Sequence, residues 1–203
     1  MLKTLLTLVT LLLSSVIQAT EGKPVQYTVN DLQYEGYYIS PGKDAPLVLL
    51  IHDWDGLTDY EIKRAKMLAD MGYSVFAADL FGAGVRPTEV VDKKQHTGEL
   101  YKDRNKMRAL IKGALDTAMD LGANTTNAIA AGYCFGGAAV LEAARNEKAI
   151  GNHQLKAYAT FHGGLKTPEG QSYSDTKGKV IVFHGSADTA ITMAHFAGLT
   201  QEL

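Results

Sequence analysis

The sequence has a single cysteine, a single tryptophan and almost no net charge, with 20 basic and 22 acidic residues among 203. Each scarcity excludes something. A lone cysteine cannot close an internal disulfide. A net charge of −2 without any block of like charge gives no electrostatic footprint for nucleic acid or for an acidic membrane surface. No internal repeat or low-complexity linker interrupts the chain, and no histidine pair has HExxH-like ligand spacing, so neither metal nor cofactor is implied. The apolar run Leu5 to Leu13 is too short to span a bilayer comfortably. It follows Lys3 and precedes Ser14-Ser15 and the small residue Ala19, with charge resuming at Glu21. That pattern predicts a secretory signal peptide over 1–19, an uncleaved anchor being the alternative, and an exported protein, periplasmic or secreted. Residues 20–203 are then one domain by length, free of the membrane after cleavage. An odd thiol kept in an oxidising compartment is a candidate reactive group.

What is present alternates between strand and helix. Val25 to Asn30 and Leu32 to Ile39 alternate in polarity, with Asn30-Asp31 between them, which predicts a β-hairpin at a sheet edge. Pro41 to Asp44 has turn chemistry and leads into Leu47 to Ile51, a continuous apolar run that reads as a central strand buried on both faces. Helical spacing over Asp59 to Met71 stops at Gly72, and Tyr73 to Ala78 is a further buried strand. Leu80 to Thr97 reads as a surface excursion, and Glu99 to Leu121 as one long helix closed by Gly122. Strands are expected again at Ala128 to Ala131, Ala157 to His162 and Val180 to His184, and a helix from Ile191. The fold class is therefore α/β: a mostly parallel, doubly wound sheet with an antiparallel N-terminal edge hairpin and ligands at the carboxyl ends of its strands.

One stretch carries chemistry. Gly132-Tyr133-Cys134-Phe135-Gly136-Gly137 lies between a strand pattern and an alanine-rich helical pattern, Ala138 to Arg145. Strand, tight turn and helix with small residues at this spacing form a nucleophile elbow, here with cysteine where serine is usual. A helix N-terminus favours thiolate over thiol, and the amide of Phe135 points where an oxyanion would form. The plainer reading, a small buried core cysteine, stands beside this one.

Further candidates lie at other strand ends. His52-Asp53-Trp54-Asp55-Gly56 follows Leu47 to Ile51, where a second oxyanion amide belongs, and the backbone N–H of Trp54 is the best donor by position. The indole could equally be there to cover the core. Asp188, past Val180 to His184, falls where the acid of a nucleophile-acid-histidine order belongs, the alternative being the N-cap of the next helix. Beyond it comes only His195, inside an expected helix and badly placed for Asp188 and Cys134. His52, His162 and His184 sit at strand ends, where a structural role is the first expectation.

Five segments together resemble the dienelactone hydrolase family, cysteine-nucleophile members of the α/β-hydrolase fold. They are HDWDGL at His52, ADLFGAGVRP at Ala78, GYCFGG at Gly132, FHGGL at Phe161 and HGSAD at His184, within Tyr34 to Leu203. The resemblance implies Cys134 as nucleophile, Asp188 as triad acid, and the amides of Phe135 and Trp54 as oxyanion hole. Asp53 stands where the family usually has a glutamate that holds the resting thiol, and Arg86 matches an arginine that meets a substrate carboxylate. The family histidine follows a further strand and precedes a closing helix; neither is found here, so a truncated hydrolase with an exposed sheet edge and poor solubility is expected. The implied activity is hydrolysis of a small ester or lactone, without cofactor; the oligomeric state is left open. The rival expectations are a noncatalytic scaffold lacking the triad histidine, and a redox-sensing thiol.

Overall fold

The computed structural model describes residues 21–203 except Asn152 and Gln154; the predicted signal peptide lies outside them. The chain runs β1 (Lys23–Val29), β2 (Leu32–Ile39), β3 (Pro46–Ile51), α1 (Asp59–Asp70), β4 (Ser74–Ala78), α2 (Val90–Lys102) and α3 (Arg104–Asp120). It continues through β5 (Asn124–Tyr133), α4 (Phe135–Arg145), β6 (Leu155–Phe161), β7 (Lys179–Phe183) and α5 (Met193–Glu202). The seven strands form one sheet in the order β1-β2-β4-β3-β5-β6-β7. β1 and β2 pair antiparallel, β2 runs antiparallel to β4, and β4, β3, β5, β6 and β7 are parallel. Asn30 and Asp31, at φ 49° and 62°, supply the left-handed turn that a two-residue hairpin loop requires.

The continuous apolar runs are the strands buried on both faces. Leu47 to Ile51 and Val75 to Ala78 are 0–2 % exposed. Leu49, Ile51 and Phe76 join Met107, Leu110, Ile111 and the alanines of α4 on one face, whereas Val48, Leu50 and Val75 pack with Ala65 and Ala69 of α1 on the other. β7 is the exception. Its Ile181 and Phe183 are 43 % and 51 % exposed, and Phe183 stacks on Phe161 at 4.5 Å. This strand edge carries the apolar surface expected from the sequence. Among the described residues, no helix is long and apolar enough to cross a membrane.

The helical stretch expected at Glu99 to Leu121 is two helices, and the first begins inside the segment read as a surface excursion. Val90 starts α2, and the chain breaks at Asp103, whose backbone is non-helical (φ −108°, ψ 82°) and whose carboxylate accepts from the Lys106 N–H at 2.8 Å. An aspartate that caps the second helix ends the first. The bend brings Tyr101 of α2 against the elbow and leaves α3 to cover the sheet.

Candidate active site

The site is built where β5 ends. β5 runs beside β6 with Tyr133 opposite Phe161, and the Cys134 N–H donates to the Phe161 carbonyl at 3.0 Å. The backbone then turns through Cys134 at φ 51°, ψ −113° and enters α4 at Phe135. A non-glycine residue held at positive φ is strained, and here the strain sets the thiol at the head of a helix. The turn is also pressed on its neighbours. A Cβ on Gly136 would lie 2.3 Å from the Ile51 carbonyl oxygen and 2.5 Å from that of His52, and one on Gly132 would lie 2.3 Å from the Gly136 oxygen. Only glycine fits at these positions. Their contact brings the loop after β3 directly to Cys134.

That loop is tied down residue by residue. The Asp53 carboxylate accepts from the Asp55 N–H at 2.8 Å, Asp55 pairs with Lys93 at 2.6 Å, and the Lys93 ammonium sits 5.3 Å from the centre of the Trp54 ring. The Thr58 N–H donates to Glu61, and the Thr58 hydroxyl accepts from the Tyr60 N–H, a capping box that starts α1. The Trp54 N–H has no hydrogen-bond partner among the described residues. Arg86 leans into the neighbouring loop, where its Nη1 donates to the Val85 carbonyl at 2.7 Å and lies 3.8 Å from the buried Asp79 carboxylate. Its Nη2 makes no hydrogen bond among the described residues.

Asp188 lies past β7, as expected. Its Oδ1 accepts from the Ala190 and Ile191 N–H groups, both at 2.9 Å, and its Oδ2 contacts the His162 Nδ1 at 3.3 Å. The Ile191 N–H foremost, then that of Ala190 and the His162 ring, hold its carboxyl below the usual carboxylate range. The N-cap of α5 is Thr192 rather than Asp188. His195 is spent on that cap, accepting from the Thr192 N–H at 3.2 Å. The histidine that meets Asp188 is therefore His162, which the sequence reading set aside as structural. It follows Phe161 of β6 as Cys134 follows Tyr133 of β5, the two strands' last paired residues, and its φ of 43° is a second strained position at these strand ends. The signal was available: FHGG stands at the end of the strand next to the elbow.

The family model for the dienelactone hydrolase family matches residues 34–203. The chain belongs to this family. Among solved structures, m3DLH is 31 % identical with a TM-score of 0.80, over 91 % of this chain and 77 % of that one. A dienelactone hydrolase-like promiscuous phosphotriesterase from metagenomic libraries is 28 % identical with a TM-score of 0.81, again over 91 % and 77 %. A cold-adapted esterase from an Arctic intertidal metagenomic library shares the fold at 20 % identity, with a TM-score of 0.69 over 91 % of this chain and 80 % of that one. No curated protein matches the chain. The family supports a hydrolase of the α/β type acting on a small molecule.

In this member of the family the thiol sits in an acidic setting. Burial pushes the half-buried Cys134 thiol above its ordinary range; the Phe135 N–H aimed at Sγ opposes the rise, and Asp53, Asp188 and Asp55 add to it. The helix N-terminus expected to favour thiolate is thus opposed by burial and by the three carboxylates. By linkage, a raised folded-state pKa stabilises the fold below the ordinary thiol pKa, and that increment is lost as pH rises through the higher folded value. Iodoacetamide labelling of the native chain, followed by intact mass, should accordingly show a midpoint at higher pH than labelling of the urea-unfolded chain. Coincident midpoints would contradict the burial argument. Beside the elbow lies a cavity of about 390 Å³ lined by Tyr101, Arg104, Ala138, Arg145, Leu165 and His195.

Proposed function

We propose that this chain hydrolyses a small carboxylic ester or lactone through Cys134. An imidazole takes the thiol proton, and the thiolate attacks the carbonyl carbon. The oxyanion forms against the N–H groups of Phe135 and Trp54. Collapse breaks the C–O bond, the leaving alkoxide takes the proton back from the imidazolium, and a thioester remains on Sγ. Water, deprotonated by the same imidazole, attacks the thioester and releases the acid and the thiol. Asp188 is the acid that orients and stabilises the imidazolium. His162 is the imidazole in contact with it in this structure. Burial foremost, and the Asp53 carboxylate after it, disfavour the thiolate before substrate arrives, and the free Nη2 of Arg86 is the group left to meet a substrate carboxylate.

The observation that carries this reading is the elbow itself: a cysteine at φ 51° between a central strand and a helix, with the Phe135 N–H on its sulfur. The test is rapid mixing of the chain with a small activated ester, acid quench and intact mass. An acyl adduct on the Cys134 peptide, formed in a burst stoichiometric with protein, is the expected result. A folded chain that shows neither burst nor adduct would overturn the reading and support the noncatalytic scaffold.

A further inference from the structure

His52 is buried, 0 % exposed, with its ring between those of Phe81 (4.6 Å between centres) and Phe135 (5.9 Å). Both ring nitrogens are engaged. The Leu80 N–H points at Nε2 at 3.0 Å, and Nδ1 lies 2.6 Å from the carbonyl oxygen of the next residue, Asp53. An amide N–H can only donate and a carbonyl oxygen can only accept, so Nε2 is the acceptor and Nδ1 carries the proton. The imidazole is neutral in that tautomer, and burial holds its pKa below the ordinary histidine range.

The Asp53 carbonyl belongs to the same peptide unit as the Trp54 N–H. In a trans peptide these two groups point in opposite directions, so whatever fixes the carbonyl fixes the N–H. The peptides on either side have other restraints: the Ile51 and His52 carbonyls abut Gly136 of the elbow, and the Asp55 N–H is bonded to the Asp53 side chain. Among the described residues, the Asp53–Trp54 peptide is bonded only by the imidazole of His52. We propose that His52 is a positioning residue that locks this peptide with the Trp54 N–H turned to the oxyanion of a Cys134 acylation. The Leu80 N–H, at the end of β4, anchors the lock to the sheet. This inference rests on the cysteine hydrolase reading above for its catalytic consequence, but the lock itself is a structural statement.

Two amide variants separate the two bonds. His52→Asn places an N–H near the Nδ1 position and gives up the bond from Leu80; His52→Gln places an amide oxygen near the Nε2 position and gives up the bond to Asp53. One oxyanion donor is worth about 10²- to 10³-fold in rate, so a peptide that rotates freely should lower the single-turnover acylation rate of His52→Gln by about 10- to 100-fold, with KM little changed. His52→Asn should stay within a few-fold of the parent chain even where its melting temperature falls further. Rates that simply track the loss of stability in both variants would overturn the proposal. A crystal structure of His52→Gln gives a readout independent of turnover. A rotated or doubly occupied Asp53–Trp54 peptide is expected, and a single unchanged orientation would overturn the lock whether or not the chain acylates. Should the parent chain itself form no acyl adduct while the peptide rotates in His52→Gln, the hydrolase reading fails and the lock stands.

Discussion

Cys134→Ala is expected to lower ester turnover by about 10⁴-fold or more, the scale seen when a covalent nucleophile is removed from a site whose members act as a unit. The fold should survive. Alanine meets the same backbone penalty at φ 51° that cysteine already bears, and the sulfur it removes is half-buried and gives up only the contact from the Phe135 N–H. Circular dichroism should show a melting temperature within about 3 °C of the parent, because a change of well under 1 kcal/mol moves a domain of this size by no more than that. Cys134→Ser is the sharper comparison. It keeps the shape and the Phe135 amide but offers a hydroxyl, which is far less acidic than a thiol in a setting already crowded by Asp53, Asp55 and Asp188. Residual turnover in serine above alanine would report base catalysis by the imidazole. Turnover of the alanine chain within tenfold of the parent would place the nucleophile elsewhere and remove Cys134 from the mechanism.

The order of strands and helices was legible because most strands in a sheet of this kind are apolar runs and the edge hairpin alternates. Those patterns reflect burial directly. Leu47 to Ile51, read as buried on both faces, is so, and the Asn30-Asp31 turn has the positive φ that its chemistry implies. The break between α2 and α3 was hidden, since Leu100 and Met107 keep apolar spacing on both sides of it and the cause is one carboxylate choosing the Lys106 N–H over solvent. Local capping of this kind competes on the scale of about 1 kcal/mol, too small to leave a mark in periodicity.

At the site, position along the chain was legible and partnership was not. Cys134, Trp54 and Asp188 could be placed because each follows a strand at a fixed offset. Which histidine meets Asp188 depends on parallel pairing: β6 lies between β5 and β7, so the residue after Phe161 comes to rest between the ends of the other two. The His162 N–H accordingly donates to the Phe183 carbonyl at 2.8 Å. The role of His52 depends on two backbone groups, one adjacent in sequence and one on the β4 end, and backbone partners leave no trace in residue identity.

The least legible feature has the largest expected effect on stability. Glu142 stands in the alanine-rich pattern of α4, where a carboxylate would be read as the solvated face of a helix, yet it is 0 % exposed. Its Oε1 accepts from Arg108 at 2.5 Å and Gln171 at 3.0 Å, its Oε2 accepts from Arg145 at 3.2 Å, and Arg104 lies 3.5 Å away. One carboxylate thus gathers three guanidiniums, from α3 and from α4 itself, beneath the helix that carries the elbow. Removing it leaves cations without a counter-charge, and the Arg145 side chain is only 1 % exposed. Breaking a buried ion pair from one side costs about 3–5 kcal/mol, so Glu142→Leu should lower the urea midpoint sharply without changing its slope. The paired variant Glu142→Leu with Arg145→Met removes both charges, and should recover a large part of that loss; Tyr173 and Gln171, which also bind Arg145, set what is not recovered. Additive losses in the double variant would mean that the cluster contributes through packing alone. Because the cluster lies at the far end of α4 from Cys134, acylation measured well below the melting temperature should be nearly unchanged in Glu142→Leu. That outcome would separate the support of the elbow from its chemistry.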